Sequence, residues 1–191
     1  MLEKLPHAVG EALRGFKPGL ERTIYHSDEM AQVPETIIVT SDSFGDGAPI
    51  PERYTEDGQG ISPPLGWAGA PAGTAAFVLV IEDADSPTPS PLVHAIVWNL
   101  HGDEKVLPEG ALPSDADPGD DTAMGKNSYL EPEYLPPDPP PGHGPHRYLF
   151  QVYALSEPLE LGGHPGRGKL LAAMRGRVMG RGVLTGTYHR P

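Results

Sequence analysis

The sequence has no cysteine, few basic residues and no long apolar run. The absence of cysteine excludes disulfides, thiol nucleophiles and cysteine-ligated metal sites. Because no apolar stretch approaches the roughly 18 residues that span a bilayer, we expect no stable membrane insertion. The first ten residues also lack the continuous apolar core of a signal peptide. We therefore expect a soluble, cytoplasmic protein.

The charge of the chain is strongly acidic and unevenly distributed. Lysine and arginine number 14 against 26 aspartates and glutamates, for a net charge of −12. An acidic body argues against nucleic acid and anionic membranes as partners. Residues 161–191, by contrast, are basic and carry no acid. This end can be a nucleic-acid patch or a solvated face, or it can pair with the acidic body within a subunit or across a dimer.

Glycine and proline are in excess, with 24 of each among 191 residues. This share is roughly twice the average and is typical of disordered or low-complexity chains. The apolar residues nevertheless form compact β-rich runs such as 74–81. We therefore place the glycines and prolines in ordered turns between short strands.

The chain divides into an N-terminal extension, residues 1–35, and a body, residues 36–191. The extension has a weak helical pattern over 8–16. A late helix is predicted over 169–179, with Val178 on its apolar face. The remaining pattern predicts a mainly β fold, an antiparallel β-sandwich with a few short helices. The predicted strands are 36–40, 74–81, 93–100, 147–155 and 182–188.

The first candidate site residues follow the apolar run 74–81. If that strand extends through Asp85, then Asp83 and Asp85 point to the same side. Acids ahead of a proline, here Pro87, are also common turn and cap residues. His94 lies in an otherwise apolar strand, where a buried imidazole needs a partner. It is either a satisfied core histidine or part of a site.

A second polar cluster lies where the loop 132–145 meets a strand. His146, Arg147 and Tyr148 offer an imidazole, a guanidinium and a phenol, which can all donate to an anion. His143 and His146 can also ligate a metal, but no third ligand is evident nearby, so we predict no metal site and no cofactor. The loop holds seven prolines. It is either a polyproline ligand for another domain or a stiff wall of a site, and its position beside the strand favours the wall.

These motifs resemble the two signature blocks of the phosphatidylethanolamine-binding protein family, most of all its prokaryotic Raf-kinase-inhibitor-like branch. The resemblance spans residues 36–191. Ala84 departs from the pattern, because the family usually has proline there, and losing that ring frees φ at this position. The matching segments are Asp83-x-Asp85-x-Pro87 with His94, Gly144-Pro-His-Arg-Tyr148, and the stretches 54–58, 61–67 and 136–145.

The resemblance implies a Greek-key β-sandwich with a small anion pocket at one end. It implies a pocket for phosphate-like groups, such as phosphorylethanolamine, another phospholipid headgroup or phosphotyrosine. Strand alternation puts Arg147 on the opposite side from its two neighbours, so we expect it to tie the loop to an acid. We also expect an aspartate behind a histidine to fix its tautomer. The implied ligand-binding residues are Asp83, Asp85, His94, His146 and Tyr148, supported by Pro87, Gly144 and Arg147.

Our leading hypothesis is a non-enzymatic binding or regulatory protein that holds a small phosphorylated or other anionic ligand. A second hypothesis is an inhibitor of a kinase or protease that uses the loop surface around 132–145. A third is a hydrolase that uses the Asp/His cluster as general acid and base, although no positioned nucleophile is evident. The extension and the uneven charge also predict a homodimer.

Overall fold

The computed structural model describes residues 6–103, 105–112 and 123–191, so residues 1–5 of the predicted extension lie outside it. The described chain is mainly β, with two short α-helices, α1 (His7–Leu13) and α2 (Arg167–Met174). None of the described helices has the length and apolar character that crossing a membrane requires. The strands are β1 (Ile38–Thr40), β2 (Leu65–Ala68), β3 (Ala76–Asp83), β4 (Leu92–His101), β5 (Val106–Leu107), β6 (Ala123–Gly125), β7 (His146–Leu155) and β8 (Val178–Tyr188).

The strands form two antiparallel sheets. The small sheet has the order β1-β2-β5, and the large sheet has the order β6-β4-β3-β7-β8. Side chains alternate between the faces of the central strand β3. Phe77 and Leu79 belong to the cluster between the sheets. Val78 and Val80 belong to the cluster on the outer face, together with Ile24 of the extension. The mainly β sandwich is therefore confirmed.

The predicted strands are confirmed, and three short ones were missed. Strands β2, β5 and β6 have two to four residues each, too few for a period-2 pattern to stand out. The predicted late helix is wrong in its second half, because α2 ends at Met174 and Val178 begins β8. Gly176 has φ = +73°, a left-handed conformation that ends helices and favours glycine. Pairing with β7 then takes the remaining residues into the sheet.

The N-terminal extension packs against the body. Helix α1 begins one residue before the predicted helical pattern 8–16 and ends three residues before it, and a single 3-10 turn follows at Leu20–Arg22. Ile24 and Met30 are almost completely buried on the outer face of the large sheet. This part of the extension therefore contributes to the core of the protein.

The basic end of the chain pairs with acids of the same chain. This confirms pairing within a subunit among the alternatives considered for residues 161–191. Homodimerisation stays a prediction. The extension and the uneven charge suggested it, and both are accommodated within one chain. The ion pairs are Arg167–Glu82, Arg175–Glu29, Arg177–Glu157, Arg181–Glu35, Arg190–Asp57 and Arg190–Asp138.

Candidate anion-binding site

Four of the predicted site residues meet at one end of the large sheet. Asp83 is the last residue of β3 and pairs directly with Tyr148 of β7. His146 is the first residue of β7 and lies on the same side of that strand as Tyr148. All three are at most 3% exposed. The end of the sheet therefore concentrates polar side chains inside the sandwich.

A β-bulge brings in the fourth residue, His94. Ala95 of β4 pairs with Ile81, whereas Val93 pairs with Glu82, so His94 is an extra residue between two consecutive pairs. A bulge of this kind re-aims one side chain relative to simple alternation. The His94 and Tyr148 rings meet edge to face, with centroids 5.2 Å apart.

His94 presents a defined ring nitrogen to the interior. Its Nδ1 lies 2.7 Å from the carbonyl oxygen of Leu135. Because a carbonyl only accepts, Nδ1 carries the proton. Burial lowers the pKa of His94 below its ordinary value, so the ring is neutral and Nε2 is a lone-pair acceptor. Nε2 is buried without a hydrogen-bond partner in the described chain.

The Tyr148 hydroxyl is another of the six buried side-chain polar atoms without a hydrogen-bond partner among the described residues. Burial, followed by the charge of Asp83, raises the pKa of Tyr148 well above its usual value. The phenol therefore stays protonated and available as a donor. Buried polar atoms without a partner cost free energy, so these two atoms, on rings that are in contact, are candidates for binding a ligand.

Asp83 orients a pair of histidines. His146 Nδ1 donates to Asp83 Oδ2 at 2.7 Å, and the backbone N–H of Asp85 donates to Asp83 Oδ1 at 2.8 Å. His146 Nε2 lies 2.7 Å from Nδ1 of His143. The expectation that an aspartate lies behind a pocket histidine is confirmed for this pair.

Asp85 lies beyond the end of β3, so the condition under which Asp83 and Asp85 would point to the same side is not met. Strand β3 ends at Asp83 and the chain turns, which ends the alternation on which the expectation depended. Arg147 donates to both oxygens of Asp85, from Nε at 2.6 Å and from Nη2 at 2.7 Å. The prediction that Arg147 ties the loop to an acid is thereby confirmed. Lys17 of the extension lies 3.5 Å from the same carboxylate.

The pKa of Asp85 reflects this pairing. Burial alone would raise it, but the hydrogen bonds and charge of Arg147, with the charge of Lys17, lower it below its ordinary value. Asp85 therefore acts as the fixed anion of a salt bridge and does not line the cavity.

Ala84 makes two backbone hydrogen bonds where the family usually has proline. Its N–H donates to the carbonyl of Arg147 at 3.0 Å, and its carbonyl accepts from the N–H of Gly19 at 2.9 Å. A proline would lack the first of these bonds. The turn after β3 is thus held by Arg147 from both its backbone and its side chain. The supporting residues Pro87 and Gly144 (φ = +101°) lie in the turns next to β3 and β7.

The proline-rich loop forms a wall of the site. Residues 137–140 are buried, and Leu135 and Asp138 line a cavity of about 10 Å³ beside Asp83 and His94. The sequence predicted the loop as a wall but did not identify Asp138 as a site residue. Its only signal in the sequence was its position as an acid between prolines. Sequence reasoning also missed Tyr129 and Leu92, which complete the cavity.

Arg190 was also missed, and it neutralises Asp138. Its Nη1 donates to Asp138 and, at 2.9 Å, to the carbonyl of Pro139, while its Nε donates to Asp57 at 2.7 Å. Burial lowers the pKa of Arg190, but the two carboxylates outweigh it and the pKa is raised. Both acids of the cavity are thus paired with a basic group, Asp83 with His146 and Asp138 with Arg190. This pairing removes the conflict between acidic walls and an anionic ligand.

His143 and His146 are too close together for a metal to lie between their facing ring nitrogens. Metal–nitrogen bonds of about 2.0–2.1 Å in tetrahedral geometry keep two ligand nitrogens more than 3 Å apart, whereas His143 Nδ1 and His146 Nε2 are 2.7 Å apart. Within the described ranges, no cluster of three metal-ligating side chains is found.

Comparison with known proteins identifies relatives across most of the chain. The family model described as phosphatidylethanolamine-binding protein matches residues 40–189. A UPF0098 protein from Methanothermobacter thermautotrophicus is 38% identical over 150 residues, which cover 78% of this chain and 95% of the relative. A UPF0098 protein from Chlamydia trachomatis is 37% identical over 157 residues, covering 80% and 98%.

Solved structures agree with these sequence matches. A putative phosphatidylethanolamine-binding protein homologue from Chlamydia trachomatis, CT736, has a TM-score of 0.73 and 35% identity, and the match covers 82% of this chain and 99% of that one. The E. coli protein YbcL, described as a member of the mammalian family, has a TM-score of 0.73 and 26% identity with the same coverage. The chain therefore belongs to the phosphatidylethanolamine-binding protein family.

Proposed function

We propose that this protein is a non-enzymatic binding or regulatory protein that holds a phosphate group of a small ligand between His94 and Tyr148. The observation that supports it most directly is the pair of buried, unpartnered atoms, His94 Nε2 and Tyr148 Oη. His94 lines the cavity, and the Tyr148 ring contacts that of His94 edge to face. Tyr148 would donate to a phosphate oxygen. His94 would accept the proton of a singly protonated phosphate oxygen, since its Nδ1 is committed to Leu135.

The acids have supporting parts in this proposal. Asp83 and Asp138 hold His146 and Arg190 beside the site. Their charges are thereby compensated, and either oxygen pair can also accept from an ammonium group carried by the ligand. A phosphorylated amino alcohol such as phosphorylethanolamine has both groups, the phosphate and the ammonium.

The test uses two tyrosines of the same strand. Tyr148 and Tyr153 are both buried in β7, five residues apart and on opposite faces. We expect Tyr148→Phe to weaken binding of inorganic phosphate, measured by isothermal titration calorimetry at pH 6.5, by about 10- to 100-fold, the worth of a hydrogen bond to a charged group. Because the hydroxyl has no partner in the described chain, its removal should leave the melting temperature nearly unchanged.

Tyr153→Phe is the matched control. It removes a hydroxyl that donates to Gln151 at 2.6 Å on the outer face of the sheet, so phosphate affinity should stay at the wild-type value. The proposal fails if the wild-type protein binds neither phosphate nor phosphorylethanolamine, or if both variants bind them equally well.

The two alternative hypotheses stay predictions with less structural support. Burial of residues 137–140 leaves little of the proline-rich loop to act as an inhibitory surface. The Asp83–His146 pair resembles an acid–base pair, but its outer nitrogen is bonded to His143 and not exposed to a substrate. Turnover of a chromogenic phosphate ester would favour the hydrolase.

A further inference from the structure

The N-terminal extension is attached to the body in two different ways. Residues 19–34, here called the anchor, are held by buried groups. The N–H of Ile24 donates to Glu82 at 2.7 Å, and the N–H of Tyr25 donates to Gln151 at 2.9 Å. Residues 7–17, here called the strap, are mostly exposed. The two parts meet at Gly19, whose φ of +88° allows a sharp change of direction.

The strap lies on the turn 141–143, which leads into β7. His143 Nε2 donates to the carbonyl of Leu13 at 2.8 Å. Arg14 donates to the carbonyl of Gly142 from two nitrogens, at 2.9 and 3.2 Å. Gly10 is buried against Pro141, so closely that an added Cβ would lie 1.9 Å from the Pro141 oxygen. These contacts fasten the strap to the backbone of the turn.

The same turn is joined to the cavity by two routes. Along the chain, the three prolines 139–141 connect it to Asp138, which lines the cavity. Consecutive prolines are stiff, so displacement of the turn moves Asp138. The second route is a series of side-chain hydrogen bonds. His143 is hydrogen-bonded to His146, and His146 is hydrogen-bonded to Asp83, another residue of the cavity wall.

The strap also determines which ring nitrogens donate and which accept in this series of hydrogen bonds. Because the Leu13 carbonyl only accepts, His143 Nε2 must carry a proton. In neutral His143, Nδ1 is then an acceptor and receives the N–H of His146 Nε2. Burial lowers the pKa of His143, which favours this neutral form. The hydrogen bond at Leu13 therefore fixes the tautomer of His143, and His146 then donates from both of its ring nitrogens, to His143 and to Asp83.

We propose that the strap holds the phosphate pocket closed and that its release admits the ligand. This inference rests on the proposed function. The cavity of about 10 Å³ has room for about one water, which is less than the five heavy atoms of a phosphate group occupy. The strap contacts the end of the wall 135–141 at Pro141, whereas Arg190 holds Asp138 and Pro139. A pocket that is open only part of the time binds more weakly in proportion to the closed fraction.

The test uses two glycines of the extension. Gly10→Ala places a methyl group where the Pro141 oxygen lies, so the strap must lift from the turn, while alanine favours the α1 helix itself. Gly15→Ala is the matched control, because nothing lies within 4 Å of its added Cβ. By calorimetry with inorganic phosphate, we expect Gly10→Ala to bind about tenfold more tightly than wild type and Gly15→Ala to match wild type.

Arg14→Ala gives a second variant that does not depend on steric displacement. Its side chain is 60% exposed, so the fold should tolerate the change, and loss of its bonds to Gly142 should also tighten phosphate binding. The inference is overturned if wild type binds phosphate and Gly10→Ala binds it equally or more weakly.

Amide hydrogen exchange separates this inference from the proposed function. If no variant binds phosphate, the proposed function fails. The role of the strap in closing the wall is then tested only by the exchange rates of the Gly142 and His143 amides. About tenfold faster exchange of these amides in Gly10→Ala than in Gly15→Ala would support a strap that closes this wall. Equal exchange rates would overturn it.

Discussion

At the scale of single residues, the protonation state of His94 gives the proposed site a preference among anions. Its Nδ1–H is used by the Leu135 carbonyl, and the ring is neutral, so Nε2 can only accept. Inorganic phosphate keeps at least one P–OH group near neutral pH and can donate to this nitrogen. Sulfate is fully ionised and can only accept, so it would place two acceptors against each other.

We therefore expect the protein to bind phosphate more tightly than sulfate at pH 8, by at least about tenfold, the worth of one unmade hydrogen bond. The lowered pKa of His94 gives the sign of the pH dependence. Because burial lowers the pKa of His94, protonated His94 is scarce at pH 8 and becomes more populated as the pH falls, and it can then donate to sulfate. Sulfate affinity should accordingly rise as the pH falls from 8 to 5.5, measured by competition calorimetry. Equal affinities for the two anions at pH 8 would contradict this assignment of the tautomer.

At the scale of elements, the end of β3 directs two consecutive buried acids to opposite faces of the sheet. Asp83 faces the pocket, whereas Glu82 faces the anchor and accepts from Ile24, Gln151 and Arg167. Glu82 is completely buried. One strand thus positions the candidate site and fastens the extension that crosses it.

Replacement of Glu82 tests this role. Glu82→Ala leaves the Arg167 guanidinium and a buried backbone N–H without their acceptor, and we expect it to lower the free energy of unfolding by about 3 kcal/mol. Urea denaturation followed by circular dichroism measures this loss. Glu157→Ala removes a surface ion pair with Arg177 and should cost at most about 1 kcal/mol. Similar losses in the two variants would contradict the role given to Glu82.

At the scale of the whole molecule, the two parts of the extension should differ in their importance for stability. The anchor buries Ile24, Tyr25 and Met30 in the outer core. Each such side chain contributes about 1.5–3 kcal/mol on burial. The strap contributes mainly hydrogen bonds at the surface.

Two truncations test this difference. We expect removal of residues 1–35 to cost at least about 5 kcal/mol, to lower the melting temperature sharply and to expose an apolar face that binds a hydrophobic dye. Removal of residues 1–16 alone should change the melting temperature by only a few degrees, since the anchor stays in place. Equal melting temperatures for the two truncated chains, in differential scanning calorimetry, would show that the anchor is dispensable.

Much of the fold could be predicted because its signals are local. The runs that became β3, β4 and β7 are eight to ten residues long and rich in β-branched and aromatic side chains. Strand β5 has two residues and depends on pairing with β2. Val178 fitted a helical pattern, but it lies in β8 because it pairs with the edge of β7.

The sequence by itself determined the sandwich and pointed to Asp83, His94, His146 and Tyr148 as candidate residues, because alternation along strands and motif spacing are properties of the chain alone. Only the tertiary structure decided which residues line the site. Because β3 ends at Asp83, Asp85 forms a salt bridge with Arg147. A bulge turns His94 inward, and Asp138 forms an ion pair with Arg190, which is distant in the sequence. Only the structure also showed the extension lying over the turn beside His146. These outcomes depend on strand ends, bulges and contacts between distant residues, and no local period encodes them.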